Sequence, residues 1–263
     1  MRRPGATAAP GVLLPLAAVA VAFVVVPFAA LLQRTPWSDL TDLLGRPIVT
    51  DALRLSLVSA FAAMALSLLF GVPLAWVLAR SGLPGRAVVR AIVLLPMVLP
   101  PVVGGASLLL AFGRRGLVGG PVHDATGFLL PFSLWGVVVA NTFVALPFLV
   151  LTVEAGLRAA GTRYEDAAAT LGASRWTIFR RVTLPLAAPS LLAGAVLSWA
   201  RALGEFGATV TFAGNLQGRT QTMPLAVFLA LESDRDAAIA LSLVLIAVSL
   251  LVIVPLRDRW LGA

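Results

Sequence analysis

Tyr164-Glu165-Asp166-Ala167-Ala168-Ala169-Thr170-Leu171-Gly172-Ala173-Ser174-Arg175-Trp176-Thr177-Ile178-Phe179-Arg180-Arg181-Val182-Thr183-Leu184-Pro185 is a polar run between two long apolar stretches. Glu165 and Asp166 open a helical segment, where acids suit the positive N-terminal end of the helix dipole. Ala167, Ala168 and Ala169 are strong helix formers with small side chains. They leave a surface that another protein can approach closely. Gly172 is placed to end this helix as a C-cap glycine. Ser174 is placed to cap a second helix carrying Trp176, Ile178, Phe179 and Val182. Pro185 marks entry into the next apolar stretch. The pattern predicts helix, glycine turn and helix. By physics alone it is either a docking surface or an amphipathic segment lying on a membrane.

Working outward from this loop, uncharged windows recur at the length of a membrane span, about 20 apolar residues for a ~30 Å hydrocarbon core. Segment one has its apolar part over Gly11–Leu32, and the others are Leu55–Ala79, Ala91–Gly113, Ala125–Val153, Val182–Ala213 and Ala237–Leu256. Helix in the fourth is expected to start near Leu130. The fifth is expected to run past Arg201 and Glu205. This predicts an all-α integral membrane protein with six transmembrane helices. Segment one follows Arg2 and Arg3, but its apolar stretch of about 22 residues exceeds the ~7–15 of a secretory signal, so it is read as a retained span. The expected organisation is a tail at 1–10, a first span at 11–33, a five-helix domain at 51–256 enclosing the loop 154–185, and a tail at 257–263.

Composition fits this reading. Of 263 residues, 59% are hydrophobic and 12% charged, about half the charge of a soluble domain. The net charge is +8. With the N-terminus cytoplasmic, twelve arginines fall on the inner face and seven on the outer, where seven acids match them. The whole excess then lies inside, and the arginine asymmetry itself agrees with the positive-inside rule, with both termini cytoplasmic. Nucleic-acid binding is not needed to explain the charge. Trp37, Trp76, Trp135 and Trp260 fall near expected span ends, where amphipathic rings favour the interface.

The same composition removes most catalytic parts. Cysteine is absent, every cationic side chain is Arg, and there is one histidine. No Walker A lysine, Schiff base or thiolate metal site can form. No cofactor is expected. His123 follows Gly119-Gly120-Pro121 and reads as an exposed loop residue, and with Asp124 it makes no metal site.

The loop adds a more specific signal. Asp-Ala-Ala, three residues, Gly, nine residues, Val-x-Leu-Pro (Asp166, Ala167, Ala168, Gly172, Val182, Leu184, Pro185) resembles the signature loop of ABC importer permeases. Asp166 stands where that family usually has Glu, and Val182 where it has Ile. The resemblance implies a type I ABC importer architecture in which this loop, from Glu165, docks in a groove of a separate ATPase subunit. Resemblance to the molybdate permease branch, with tungstate and sulfate permeases close by, rests on further stretches. These are Leu95-Pro96-Met97-Val98-Leu99-Pro100-Pro101, Ala202-Leu203-Gly204-Glu205-Phe206-Gly207-Ala208-Thr209, and Gly218-Arg219-Thr220-Gln221-Thr222-Met223-Pro224. It implies an inner-membrane permease for an oxyanion, working as a homodimer with two ATPase copies, an extracytoplasmic oxyanion-binding protein and surrounding lipid.

The fifth segment carries the candidate translocation path. Arg201 and Glu205 sit one helical turn apart inside it, and a charge at mid-bilayer costs roughly 2.5–3.5 kcal/mol on insertion scales. Arg before Glu is the weaker order for an i,i+4 pair. The pair alone therefore does not offset its burial, and it either faces a polar path or locks helix packing. Gly204 and Gly207 permit close approach or local opening of the helix, with Thr209 just beyond. Pro96, Pro100 and Pro101 remove backbone donors and bend or break the third segment near the same path. Arg219 and Arg235 in the outer loop are read chiefly as solvated loop charges, with docking of the binding protein as the alternative. Two competing functions are an ion-coupled secondary transporter and an intramembrane enzyme. The first lacks inverted repeats; the second lacks a catalytic constellation beyond Arg201 and Glu205.

Overall fold

The computed structural model describes residue 11 and residues 13–261, with the side chains of residue 253 and residues 255–263 outside the description. The expected tails, residues 1–10 and the side chains from 257 onward, therefore lie outside the described residues. Every regular element among the described residues is helical. In chain order they are α1 (Leu13–Gln33), α2 (Leu40–Leu44), α3 (Pro47–Arg80), α4 (Arg86–Val98), α5 (Pro101–Phe112), α6 (Gly119–Thr126), α7 (Leu134–Ala160), α8 (Arg163–Thr170) and α9 (Arg175–Ile178). A π-turn (Phe179–Thr183) leads into α10 (Leu184–Leu203), followed by α11 (Gly207–Phe212), α12 (Met223–Ser233) and α13 (Arg235–Leu261).

The centre is α3 packed against α7 and α10. Along one face α3 buries Ser56, Ser59, Ala60, Ala63, Ser67, Gly71, Ala75 and Leu78, at helical three- and four-residue steps. Small side chains on that stripe let neighbouring helices approach closely, which is how helices associate where lipid offers no hydrophobic drive. A Cβ added at Gly71 would lie 2.7 Å from Leu149 Cδ2 of α7. Ala75 and Leu78 pack with Leu149, Val150, Val153 and Leu157 of α7 and Ala187 of α10. Further along, Ala60 and Ala63 meet Ala145, Trp199, Ala202 and Leu203. A second cluster joins α2, the start of α3, α12 and α13 through Leu43, Ala52, Met223, Ala226 and Leu241. Helix α1 buries none of its residues.

Five of the expected spans appear as helices long and apolar enough to cross a membrane. The third and fifth differ from the expected continuous rods. The third is two helices, α4 and α5, bent by 116°. Pro96 stays inside α4, whereas the consecutive Pro100 and Pro101 end it. A proline disfavours helical backbone in the residue before it, and Leu99 and Pro100 are both extended, at ψ 141° and 131°. The fifth segment stops at Leu203 instead of running to Ala213. Gly204, Glu205 and Phe206 leave the helix, and α11 begins at Gly207. His123 also differs from its expected loop: it lies half-buried on α6, which the left-handed Gly127 ends.

These two breaks pack on each other. A Cβ at Gly105 of α5 would lie 2.7 Å from the Ala208 carbonyl oxygen and 2.8 Å from Thr211 Cβ. A Cβ at Gly207 would lie 2.8 Å from Pro101 Cβ. Glycine on each side is what lets α5 and α11 touch. Gly105→Val is expected to lower the thermal unfolding midpoint of the purified subunit, at an over-packing cost of about 1–3 kcal/mol. Gly204→Ala, whose added methyl meets only the Ala200 carbonyl oxygen at 3.7 Å, should leave the midpoint unchanged. Equal midpoints for the two variants in a fluorescence melt would contradict this packing.

Candidate functional site

The loop folds as its residues predict. Helix α8 opens with Glu165 and Asp166 in its first turn. Gly172 adopts φ +85°, the left-handed conformation that ends the helix without a Cβ penalty. Ser174 Oγ accepts the Thr177 N–H at 3.2 Å and starts α9. Leu171, at the turn, is 88% exposed, and Trp176 is 69% exposed. Tyr164, Ala167 and Ala169 also face outward, and Ala168 is half-buried. The loop thus presents small and large apolar side chains among exposed charges such as Arg163, Asp166 and Arg175 at one end of the bundle. Asp166 stays exposed and accepts the Thr162 hydroxyl at 2.8 Å.

Glu165 behaves differently from its neighbour. Its carboxylate turns back into the bundle, where Arg80 Nε lies 3.2 Å from Oε2. The Thr183 hydroxyl donates to Oε1 at 3.0 Å. Arg80 also donates to the Gly161 carbonyl at 2.6 Å. One carboxylate therefore ties α8 to the end of α3 and to the turn that enters α10. Val182 and Leu184 are half-buried at that entry, and Pro185 sits exposed in the first turn of α10, directly after the π-helical segment. Between α8, α9 and α3 lies a groove of about 680 Å³, lined by Pro73, Trp76, Glu165, Arg175, Trp176 and Phe179 among others. Phe179 holds its aromatic wall together, stacking on Trp176 and meeting Trp76 edge-on.

A second ion network braces the same end. Glu154 of α7 is 3% exposed. It pairs with Arg90 of α4 and with Arg158 one turn along its own helix at 2.9 Å. Arg158 also donates to the Leu78 carbonyl at 3.2 Å, which reaches α3. Sequence reading used these residues only to orient the chain. A signal was there: Glu154 preceding Arg158 by four is the favourable order for a helical pair. Arg80 and Arg90 carried no comparable signal, because their partners are distant in sequence.

At the break after α10, Arg201 Nη2 lies 2.7 Å from Glu205 Oε2. Glu205 is 1% exposed, and its Oε1 accepts the Ala208 N–H at 2.7 Å. The carboxylate thus caps α11 and neutralises Arg201 together. The Arg201 side chain keeps about a quarter of its surface exposed (27%). Gly204 is exposed, while Gly207 and Thr209 are buried. Of the third-segment prolines, Pro101 touches the Gly207 backbone region, Pro96 is half-buried within α4 and Pro100 is exposed at the elbow. The structure therefore brings Pro101, Gly207, Arg201 and Glu205 into one neighbourhood. The residues of the 164–185 loop form a separate one.

Elsewhere, Arg219 borders a groove of about 410 Å³ with Asp51, Arg54 and Ser133. Arg46 pairs with Asp234 at 2.8 Å on an exposed surface. The Ala237 N–H, then Arg46, hold the Asp234 carboxyl below its ordinary pKa. Among the described residues no three His, Asp or Glu side chains group to hold a metal.

Residues 71–262 match the family described as "Binding-protein-dependent transport system inner membrane component". The chain is 50% identical to the Molybdenum transport system permease protein ModB of Mycobacterium tuberculosis, over 91% of this chain and 90% of that protein. It is 40% identical to the Escherichia coli K12 protein of the same name, covering 82% and 96%. Against the E. coli K12 Sulfate transport system permease protein CysT the identity is 38%, covering 84% and 80%. Among solved structures, a bacterial ABC transporter involved in alginate import has the same fold, with TM-score 0.72 at 19% identity, covering 95% and 93%. The fold is thus that of type I ABC importer permeases, and the chain is a multi-pass inner-membrane protein.

Removing the buried carboxylate should weaken the brace around α7. Glu154→Gln is expected to cost roughly 1–3 kcal/mol, less than the ~3–5 of a fully buried pair because both arginines reach solvent. Asp234→Asn, on an exposed pair, is the comparison and should melt like the parent. A parent-like melt for Glu154→Gln would show that the brace carries no stability.

Proposed function

The chain belongs to the family of binding-protein-dependent transport system inner membrane components, and on that footing we propose that it is the permease subunit of an ATP-driven molybdate importer. ATP hydrolysis takes place on a separate subunit, two copies of which bind two copies of this chain. The carrying observation is the loop: an exposed Ala-rich helix and glycine turn, with one carboxylate joining it to α3 and α10. Docking of an ATPase on Tyr164, Leu171 and the alanine face would move α8. Glu165 passes that displacement to Arg80 and Thr183, the ends of two long helices. Helix α10 then runs unbroken to Arg201 and the break at Gly204. Packed helices transmit such displacements as rigid bodies, which is the mechanical basis of alternating access.

The cargo reading rests on two supports. The relatives at 50% identity are molybdenum permeases, and Arg201 offers a partly exposed guanidinium at the break. Glu205 tempers that charge, so an oxyanion is attracted in passing without being held. Selectivity then belongs to an extracytoplasmic binding protein, for which Arg219 and Arg235 are candidate contacts. In this arrangement the loop and both termini face the cytoplasm. Sulfate is the second reading, favoured by the 38% relatives.

Two measurements test this. Gly172→Trp places a bulky side chain on the docking face, at a φ of +85° that disfavours it but with open space around it. It is expected to abolish co-purification of the ATPase while the permease still inserts and purifies; normal co-purification and transport would sink the coupling assignment. In proteoliposomes holding the permease, the ATPase and the binding protein, molybdate should stimulate ATP hydrolysis more than sulfate does. Stimulation by sulfate alone would reassign the cargo.

A further inference from the structure

A group of buried hydrogen bonds crosses the bundle beside the break, and Asn141 lies at its middle. Asn141 lies on α7 and is 1% exposed. Its Nδ2 donates to Ser59 Oγ of α3 at 3.2 Å. Its Oδ1 accepts the Thr209 hydroxyl of α11 at 3.2 Å. On the α3 side, Ser59 Oγ donates to the Ser56 carbonyl, and Ser56 Oγ accepts the Met223 N–H that opens α12 at 2.7 Å. On the α11 side, Glu205 caps Ala208 and pairs with Arg201 of α10. Five helices thus meet through buried polar groups.

Helix α11 has six residues and follows a break, so its own backbone bonds cannot fix its position. Its fixed points are Glu205 at the start, the glycine contact with α5, and Thr209 on Asn141. Ala208 and Phe212 also pack on Ala140 and Val144 of α7, and the Thr209 bond adds direction to that apolar contact. An asparagine fits this place because it presents a donor and an acceptor at once, and both are used. A leucine of similar size would fill the space and hold neither neighbour.

We propose that Asn141 is a positioning residue for the translocation path. It fixes α11 and the Gly204–Phe206 break against α3, so that Arg201 stands where a passing oxyanion meets it. The inference rests on reading Arg201 as part of the path. It adds that the path's geometry is set by an uncharged residue on another helix, which touches no cargo.

The chain has no native cysteine, so one introduced thiol reports on the break. Gly204→Cys is suited to this, since its position is open apart from the Ala200 carbonyl oxygen at 3.7 Å. The assembled complex is labelled with a charged methanethiosulfonate, nucleotide-free and trapped with ATP and vanadate. Gly204→Cys alone should react at different rates in the two states. Adding Asn141→Leu, or the isosteric Thr209→Val, should shrink that ratio by roughly tenfold, within the usual range of coupling between sites. It should also raise the ATP consumed per molybdate imported, while the ATPase stays bound. Thr142→Val is the control, since that hydroxyl bonds only to the Val138 carbonyl of its own helix at 2.7 Å, and it should change nothing. An unchanged ratio in Asn141→Leu overturns the proposal. So does a loss that appears only as failed assembly in Asn141→Leu while Thr209→Val keeps the parental ratio. Failure of the path reading has a different signature: Gly204→Cys is unreactive in both states and Arg201→Gln imports molybdate at the parental rate, with Asn141 untouched.

Discussion

A helix that breaks inside a membrane bundle frees backbone donors that need new partners, and the packing around α10 and α11 is arranged around that constraint. The break after Leu203 is held by Glu205, whose carboxylate accepts the Ala208 N–H and pairs with Arg201. Each of those groups would be costly alone. A buried carboxylate without partners loses several kcal/mol of hydration, and an unpaired N–H loses about 1–3. Together they satisfy one another. Because the acceptor is a side chain, the break can sit at one defined place, and that place then fixes where α11 starts and which face it offers to α5.

The second break obeys the same rule by a different route. Pro100 and Pro101 supply no N–H, so the elbow between α4 and α5 leaves fewer donors to satisfy. Its carbon skeleton then seats on the Gly207 backbone. One broken segment covers the other. The glycines matter for the space they leave more than for flexibility, because any Cβ at Gly105 or Gly207 would push the two breaks apart.

At the opposite end the bundle is held by charge. Glu165 and Glu154 each collect donors from more than one helix, so the ends of α3, α4, α7, α8 and α10 are cross-linked. This makes that end a stiff plate carrying an exposed loop of mixed apolar and charged side chains. A stiff plate at one end and a break braced by buried hydrogen bonds at the other, joined by the unbroken α10, suit a device that converts a push on a surface into a change along a path.

The apolar windows, the arginine bias and the helix–glycine–helix loop were legible in the sequence, because each depends on residues close in the chain. Long uncharged apolar windows placed the spans, Ser174 and Gly172 marked the caps, and paired prolines marked a bend. Asn141 and Ser59 carry no charge and interrupt no apolar window, and Gly204 lies in a run whose composition suits a continuing helix. Which acids would turn inward was also hidden: Glu165 and Asp166 are neighbours of the same charge, yet one bolts helices together and the other faces solvent. Local hydrophobicity and helix-end chemistry are enough to make the chain a helical membrane protein with a helix–glycine–helix loop. The end of α10 at Leu203, the packing of the two breaks, the two ion networks and the Asn141 hydrogen bonds come from tertiary packing, because a buried polar group is stable only beside its partner, and here most partners come from helices far away in sequence.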